Sequence, residues 1–428
     1  SCVIFSILAV QSIDRGPGNS MYFIPNSATP YVQYIHKPLI ALPSIFSSSG
    51  YISIAIHSYD GSYYNRFDVY DHLGFDYFFS QEYFTSPEIK GTYIADAEVS
   101  KMIIEKTEAF SEPVFIHAVT MQNHGPYDDN RYEGNEVVKI TGNLPKHMIE
   151  MLEVYTQGVF DADQSLKMLI DYYQNSDEKT VIFFFGDHLP AFYNKEVFTM
   201  SGLDITSGTL DSFINSRSIP YVIWSNYPID VSQPELISPS FMSLTLMELA
   251  NIQPPNYFQM LEKAHDHIAV LEKNIIVDQD NQTYFERPKH LEPLLRELEL
   301  VQYDALLGSQ YLNQDEDSIL GNVRNKTINE NLNQEIYVSN WVPERLTADP
   351  NWDGIMGIHG SNFLTITKMY VNEVEIPIVY GNSNYITTTL PRKYYESPGE
   401  LLIRFENSTP SGIVLGSSQI YKLTVYEP

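Results

Sequence analysis

Four short segments of the chain are apolar at nearly every position, and helical patterns lie between them. They are residues 51–56, 114–119, 181–185 and 221–224. Strands that are apolar on both faces are typical of a sheet covered by helices on both sides, which is usually parallel. The clearest helical pattern spans about residues 152–173, where apolar or small residues recur with a 3.6-residue period. This alternation predicts an α/β sandwich over residues 1–312.

The pattern changes after residue 312. Residues 313–349 open with a polar, acidic, asparagine-rich stretch and are predicted to form a linker. Over residues 350–428, short apolar runs alternate with turn residues at the spacing of a small β-sandwich. The sequence therefore predicts an α/β domain followed by a smaller all-β domain.

The charge of the chain restricts its partners. Its 54 acidic and 26 basic residues give a formal net charge of −28, which argues against nucleic acid because phosphate contacts need clustered lysine and arginine. An anionic substrate would therefore need a metal ion, an arginine or histidines beside it to offset its charge.

The single cysteine, Cys2, excludes a disulfide framework. No run approaches the roughly 20 apolar residues that span a bilayer.

Chemically versatile side chains follow three of the apolar segments. His57 follows the first, His124 lies shortly after the second, and Asp187-His188 follow the third. Ligands of open α/β sheets bind beyond the carboxyl ends of the strands. One such histidine is more often structural than functional, but three at matching positions favour a common site. Asp187 and His188 supply one oxygen and one nitrogen ligand, which suits Mn²⁺, Mg²⁺ or Zn²⁺.

Five sequence blocks resemble the signature motifs of lipoteichoic-acid synthases and related phosphoglycerol transferases. In this chain they read HSYDGSYYNR at 57–66, LGFDYFF at 73–79, MQNHGPY at 121–127, GVFDADQ at 158–164 and FFGDHLP at 184–190. The resemblance covers about residues 19–312 and implies an alkaline-phosphatase/sulfatase-like fold. It also implies one divalent ion, typically Mn²⁺, with Mg²⁺ or Zn²⁺ as alternatives.

The reaction implied by the resemblance moves glycerol phosphate from phosphatidylglycerol to a growing cell-envelope polymer or glycan, through a phosphorylated threonine. It implies an enzyme on the extracellular face of the membrane, anchored by segments upstream of this chain. Asp187 and His188 match two metal ligands. The residues that match the glycerol-phosphate site are His57, Tyr64, Arg66 and His124. Arginine suits this role because its guanidinium can hold a phosphate through two hydrogen bonds.

Two elements of the family are not matched. Its glutamate ligand lies on the first strand, which we expect upstream of the chain start, so the N-terminal part of the domain is predicted to be incomplete or divergent. The nucleophilic threonine aligns with Leu8, and the serine candidate nearby is Ser12, which lacks the expected context. The sequence therefore contains no match to the nucleophile of the family.

Residues 350–428 resemble an Ig-like domain of the IPT/TIG type, which implies an adhesive or spacer role without chemistry. We interpret His359 as structural, and His265 and His267 as part of a solvated helix face. Two alternatives to the transferase remain. One is a sulfatase or phosphodiesterase on the same fold, although the Cys-x-Pro-x-Arg sulfatase motif is absent. The other is a non-catalytic protein of the cell wall that binds glycerol phosphate.

Overall fold

The computed structural model describes residues 2–8, 29–127, 131–134, 136–229, 236–272, 274–312 and 317–428. The chain divides into two compact units. The first unit contains Ser1–Tyr59 and His72–Asn325, and the second contains Asp60–Asp71 and Lys326–Pro428. The boundary near residue 325 lies within the predicted linker. That segment contains the helix Asp317–Arg324 and the strands Tyr337–Val342 and Leu346–Thr347.

The first unit is built on a six-stranded sheet. Its strands are β1 (Cys2–Leu8), β2 (Ile52–His57), β3 (Tyr77–Phe79), β6 (Val114–Val119), β7 (Lys179–Phe185) and β8 (Tyr221–Ser225). They lie in the order β3-β2-β6-β1-β7-β8. All neighbours are parallel except β7 and β8, which are antiparallel. The predicted mostly parallel sheet is confirmed, with β8 as an antiparallel edge strand.

The expectation that the first strand lies outside the chain is wrong. β1 occupies a central position and pairs in parallel with both β6 and β7 over its length. The sequence comparison missed this strand because its residues do not match the family motif, whereas backbone pairing needs no particular side chain. β1 contains no acidic residue, so it does not supply the glutamate ligand that the resemblance implies.

Smaller strands and helices complete the first unit. The remaining strands are β4 (Ile89–Lys90), β5 (Tyr93–Ile94), β9 (Ile268–Glu272), β10 (Ile275–Asp278) and β11 (Thr283–Tyr284). The helices are α1 (Pro30–Gln33), α2 (Leu42–Ser48), α3 (Arg66–Leu73, shared with the second unit), α4 (Asp96–Ala109), α5 (Lys146–Tyr173), α6 (Glu196–Met200), α7 (Leu210–Asn215), α8 (Met242–Leu249), α9 (Asn256–His265), α10 (Glu292–Leu306) and α11 (Asp317–Arg324). A short 3₁₀ helix spans Gln81–Tyr83 in this unit, and two others span Tyr63–Asn65 and Arg392–Tyr394 in the second unit.

The burial of the central strands explains their apolar sequences. Every residue of β6 is buried, as is nearly every residue of β2, so neither face of these strands meets water. α5 contains the predicted helical segment and begins six residues earlier, at Lys146. β8 is only half-buried, as expected for a strand at an edge.

The second unit contains two β-sheets around one core. Its strands are β12 (Tyr337–Val342), β13 (Leu346–Thr347), β14 (Ile355–Ser361), β15 (Thr367–Val371), β16 (Val374–Ile376), β17 (Ile378–Asn382), β18 (Tyr385–Thr389), β19 (Gly399–Ser408), β20 (Val414–Ser417) and β21 (Tyr421–Tyr426). One sheet has the order β12-β14-β18-β17, and the other has the order β13-β21-β19-β15-β16 with β20 beside β19. Ile358 of the first sheet and Phe405 of the second share a buried cluster. This all-β arrangement agrees with an Ig-like sandwich.

The second unit also holds a segment that is distant in sequence, Asp60–Asp71. The carboxylate of Asp68 accepts hydrogen bonds from the backbone N–H and the hydroxyl of Ser411. Asp71 Oδ1 accepts from the backbone N–H of Ile328 at 2.8 Å. The unit predicted to be a spacer therefore contains the two site candidates of this segment, Tyr64 and Arg66.

Within the residues that the structure describes, we find no helix whose length and apolar character would allow it to cross a bilayer.

The central position of β1 can be tested by hydrogen–deuterium exchange. We expect the amides of residues 4–8 to exchange as slowly as those of β6, because both strands lie inside the sheet and open only with the whole unit. The edge strand β3 provides the matched control and should exchange faster. Complete exchange of residues 4–8 within seconds, with β6 still protected, would contradict the pairing.

Candidate functional site

His57 ends β2 and is fully buried. Its Nδ1 lies 3.1 Å from the carbonyl oxygen of Val119, the last residue of the neighbouring strand β6. A carbonyl can only accept, so Nδ1 carries the hydrogen and Nε2 carries the lone pair of the neutral ring. The sheet therefore fixes both the position and the tautomer of this imidazole.

His124 lies in the loop after β6 and is half-buried. Its Nδ1 donates to the carbonyl of Gly125 at 2.6 Å, so its Nε2 again carries the lone pair. Burial lowers the pKa of His124. The nearby charges of His188 and Arg131 lower this pKa further, while the hydrogen bond to Gly125 raises it. His124 is therefore expected to be neutral at pH 7 before a ligand binds.

Asp187 and His188 follow β7 directly. Asp187 Oδ1 accepts from the backbone N–H of His188 at 2.9 Å. Asp187 Oδ2 is buried and has no hydrogen-bond partner among the described residues. Burial raises the pKa of Asp187 to about 8, although the hydrogen bonds that its carboxylate accepts act to lower it. A cation beside Oδ2 would offset the cost of burying this charge.

The ring of His188, like those of His57 and His124, donates its Nδ1–H to a backbone carbonyl. Its Nδ1 donates to the carbonyl of Leu189 at 2.6 Å, and its Nε2 lies 3.7 Å from Asp187 Oδ2. Metal-binding histidines commonly donate the second ring hydrogen to a carbonyl in this way. Asp187 and His188 therefore fit two positions in the coordination sphere of a divalent cation. The described part of the chain contains no group of three or more histidine, cysteine or acidic side chains arranged to hold a metal.

The sheet brings these residues to one edge. His57 pairs in register with Val119, and Leu8 pairs with both Val119 and Phe185, so β2, β6, β1 and β7 end side by side. His124 and His188 are close enough to influence each other electrostatically. His57, His124 and the Asp187-His188 pair thus follow strands that end along one edge of the sheet, and that they form one site stays a prediction.

Tyr64 and Arg66 belong to the second unit. Tyr64 and Asn65 both have left-handed backbone conformations, with φ values of 56° and 57°, which are costly for residues with side chains and cluster at functional sites. Arg66 is fully buried. Its Nη1 donates to the carbonyl of Tyr63 at 2.7 Å, and its guanidinium carbon lies 5.7 Å from the centre of the Tyr64 ring.

The other candidates lie elsewhere. Ser12 lies outside the described residues. His265 ends α9 and is half-buried, with its ring centre 4.7 Å from that of Phe241, so it does not belong to a solvated face. His267 is exposed. His359 packs against Tyr385 in the second unit, with ring centres 4.6 Å apart, as a structural histidine would.

Aromatic residues that the sequence analysis missed connect His57 with His124. The ring centres of His57 and Tyr59 are 6.3 Å apart, those of Tyr59 and Tyr93 are 5.9 Å apart, and those of Tyr93 and His124 are 6.1 Å apart. The Arg131 guanidinium lies 5.2 Å from the Tyr93 ring centre, and its Nη1 donates to the carbonyl of His124 at 2.8 Å. Only the tertiary fold brings Tyr93 to this place, so no local sequence signal identified it.

Contacts with α4 and α5 position the His124 loop. Gln122 Oε1 accepts from the backbone N–H of Asp96, the first residue of α4. Gly158 of α5 lies against Asn123, and a Cβ added at Gly158 would be 2.1 Å from Asn123 Oδ1. The glycine in the GVFDADQ block therefore allows the helix to approach the loop.

The model of the sulfatase family matches residues 18–252. A protein of Rhizobium meliloti (strain 1021) named for cyclic beta-1,2-glucan modification is 36% identical over 302 residues, which are 69% of this chain and 47% of that protein. Lipoteichoic acid synthase 1 of Bacillus subtilis (strain 168) is 25% identical over 195 residues, 44% of this chain and 29% of that protein.

The structural comparison agrees on the fold. The phosphoglycerol transferase GacH of Streptococcus pyogenes, solved in complex with sn-glycerol-1-phosphate, superposes with a TM-score of 0.57 at 18% identity. The superposition covers 74% of this chain and 88% of that one. The chain spans at most about half the length of the curated relatives described above.

The contact between Gly158 and Asn123 predicts an unusual result. In an open helix, Gly→Ala stabilises by up to about 1 kcal/mol, but at Gly158 we expect the overlap with Asn123 to destabilise by about 1–3 kcal/mol. Gly321→Ala in α11 is the matched control, because a Cβ there meets nothing within 4 Å and should stabilise. Urea denaturation measures both variants. A Gly158→Ala variant more stable than the wild type would exclude the close contact.

Asp96 predicts a dependence of stability on pH. Burial raises its pKa from 3.8 to about 7, mainly against a hydrogen bond from the Thr120 side chain. Between these values the folded chain keeps a proton that the unfolded chain releases, so the free energy of unfolding falls as pH rises from about 4 to 7. At pH 8, the substitution Asp96→Asn should therefore raise the free energy of unfolding by up to about 4 kcal/mol, because one pKa unit corresponds to about 1.4 kcal/mol.

The same variant should match the wild type near pH 4, where both side chains are neutral. Denaturation curves at pH 4, 6 and 8 make the comparison. An Asp96→Asn effect that is constant over this range would show that the carboxyl does not titrate as described.

Proposed function

Because the chain belongs to the sulfatase family, we propose that it is the catalytic domain of a metal-dependent phosphoglycerol transferase. The proposed reaction moves glycerol phosphate from a phosphatidylglycerol-type lipid to a polymer or glycan of the cell envelope. The observation that carries this proposal is the convergence of His57, His124, Asp187 and His188 at one edge of the sheet. Their orientation suits a phosphate group beside a cation.

The three imidazoles determine how the phosphate is recognised. In each ring Nδ1–H is used by a backbone carbonyl, so a hydrogen bond to a phosphate oxygen must come from Nε2 of the protonated ring. Binding of the anion favours that protonation. We assign this role to His57 and His124, while Nε2 of His188 serves the metal through its lone pair. Tyr64 and Arg66 keep the phosphate-binding role that the sequence resemblance implies.

The cation would be held in part by Asp187 Oδ2 and His188 Nε2. We propose Mn²⁺, with Mg²⁺ or Zn²⁺ as alternatives, because the two donors are an oxygen and a nitrogen. When bound, such an ion supplies the positive charge that stabilises the oxygens of a transferred phosphoryl group. That charge is needed here because the chain has a formal net charge of −28 and its donor lipid is anionic.

The similar proteins support the donor group and the class of acceptor. The GacH structure contains sn-glycerol-1-phosphate, and the Rhizobium protein is named for the modification of a glucan. We therefore propose a glycan as the acceptor, with a lipoteichoic-acid-like polymer as the alternative. A lipid donor places the reaction at the membrane surface, on its extracellular side, with the anchor in a part of the protein outside this chain.

A second candidate function is binding of glycerol phosphate without turnover. It is favoured by the lack of an acidic residue in β1 and by the unmatched threonine nucleophile. Under this alternative the chain keeps the phosphate site of a transferase. Ser12 is the hydroxyl to test first if turnover is observed.

Calorimetric titration with sn-glycerol-1-phosphate in the presence of Mn²⁺ tests the proposal. We expect Asp187→Asn to lose the Mn²⁺ dependence of binding. Arg66→Ala should weaken binding by about 1.5–3 kcal/mol, the contribution of a hydrogen bond to a charged group. Arg66→Lys should also lose affinity because an ammonium group cannot form the two-pronged contact.

His359→Gln, in the second unit, is the control and should bind like the wild type. Wild-type chain with no affinity for glycerol phosphate would refute both candidate functions. If binding is confirmed, release of diacylglycerol from labelled phosphatidylglycerol identifies the transferase, and binding without release identifies the non-catalytic protein.

A further inference from the structure

We propose that a cleft beside His124 binds an uncharged, polyhydroxylated chain, and that this cleft is the acceptor subsite for a neutral glycan. The inference rests on the proposed transferase function, for which it specifies the acceptor. The cleft has a volume of about 370 Å³, within the range of small-molecule sites, and every residue that lines it belongs to the first unit.

Three parts of the first unit form the walls of the cleft. Glu88 and Lys90 come from the β4 region, and Arg131 and Glu133 come from the chain that follows the His124 loop. The third wall is α5, through Gln157 and Asp161. Most of the lining is therefore charged or amide-bearing, so the cleft does not suit an apolar ligand.

One wall of the cleft is held rigidly by Asp161. Lys90 Nζ and Gln122 Nε2 donate to Asp161 Oδ2 at 3.0 and 2.6 Å, and Gln157 Nε2 donates to Asp161 Oδ1 at 3.0 Å. The Asp161 side chain is only 10% exposed. These bonds orient amide and ammonium groups before a ligand arrives, which lowers the cost of binding.

Arg131 joins the cleft to the candidate site. Its Nη1 donates to the carbonyl of His124, and its guanidinium lies over the ring of Tyr93, whose hydroxyl is 3.4 Å from His124 Nδ1. Arg131 Nη2 is buried without a hydrogen-bond partner among the described residues. A ligand in the cleft would therefore contact the residue that holds His124.

The charges of the cleft indicate an uncharged ligand. Glu88, Glu133 and Asp161 line the cleft together with Lys90 and Arg131, so an anion would meet three carboxylates and a cation would meet two positive groups. Hydroxyl groups can donate to the carboxylates and accept from the cations. A hexose chain presents such hydroxyls along its length, which makes it the ligand class that this lining fits.

Calorimetric titration with a linear β-1,2-linked gluco-oligosaccharide tests the inference. The variant Glu88→Gln/Glu133→Gln exchanges two exposed carboxyl groups for amides of the same shape, and we expect it to bind the oligosaccharide at least about tenfold more weakly. Ile89→Trp, which places a bulky ring on the exposed lining, should block binding. Glu286→Gln, an exposed position that does not line the cleft, is the matched control and should not change affinity.

Titration with sn-glycerol-1-phosphate separates this inference from the proposed function. We expect its affinity to be unaffected in all these variants, and their melting temperatures to stay near that of the wild type. Binding of glycerol phosphate without any binding of the oligosaccharide overturns the inference and leaves the proposed function intact. Equal oligosaccharide affinity in the wild type, the double variant and Ile89→Trp also overturns it, because the sugar would then bind elsewhere. Tighter binding of a polyanionic acceptor by the double variant would instead identify a charged ligand and overturn it as well.

Discussion

The candidate site depends on the common end point of four parallel strands. Because β2, β6, β1 and β7 stop in register, the chain leaves the sheet at neighbouring points and carries its polar residues to the same edge. At the strand end, the carbonyl of Val119 accepts from Nδ1–H of His57, whereas His124 and His188 each donate Nδ1–H to the carbonyl of the next residue in their loops. Strand register thus sets where the chain leaves the sheet, and backbone carbonyls set the tautomer of each imidazole.

Burial of the Asp187 carboxyl at this edge is energetically costly. The carboxyl accepts a backbone hydrogen bond at Oδ1 from His188, while Oδ2 is left buried without a hydrogen bond in the described structure. Folding such a group is costly unless a cation or a proton neutralises it. An ion that bound this carboxyl only in the folded chain would therefore also stabilise the first unit.

The sequence predicted the parts of the fold that depend on local pattern. The strand at residues 114–119 and the helix around residues 152–173 follow from apolar periodicity, and His57, His124 and the Asp187-His188 pair follow from their places after strands. β1 was missed because its residues do not match the family motif, although they form an apolar run like those of the other central strands. Tyr93 and Arg131 were missed because their contacts with His124 join separate stretches of the chain. The grouping of Asp60–Asp71 with the C-terminal residues likewise depends on distant contacts.

The segment Asp60–Asp71 has a consequence for how this protein can be divided or can evolve. The chain passes from the first unit into the second, returns at His72, and passes into the second again after Asn325. A cut at residue 325 would leave Asp68 without Ser411 and Asp71 without Ile328, although the sequence suggests a simple tail there. Recombination could exchange an ordinary C-terminal module freely, but here each new partner would also have to accommodate the twelve-residue insert that carries Tyr64 and Arg66. The C-terminal unit should therefore be inherited together with the first unit rather than shuffled among unrelated proteins.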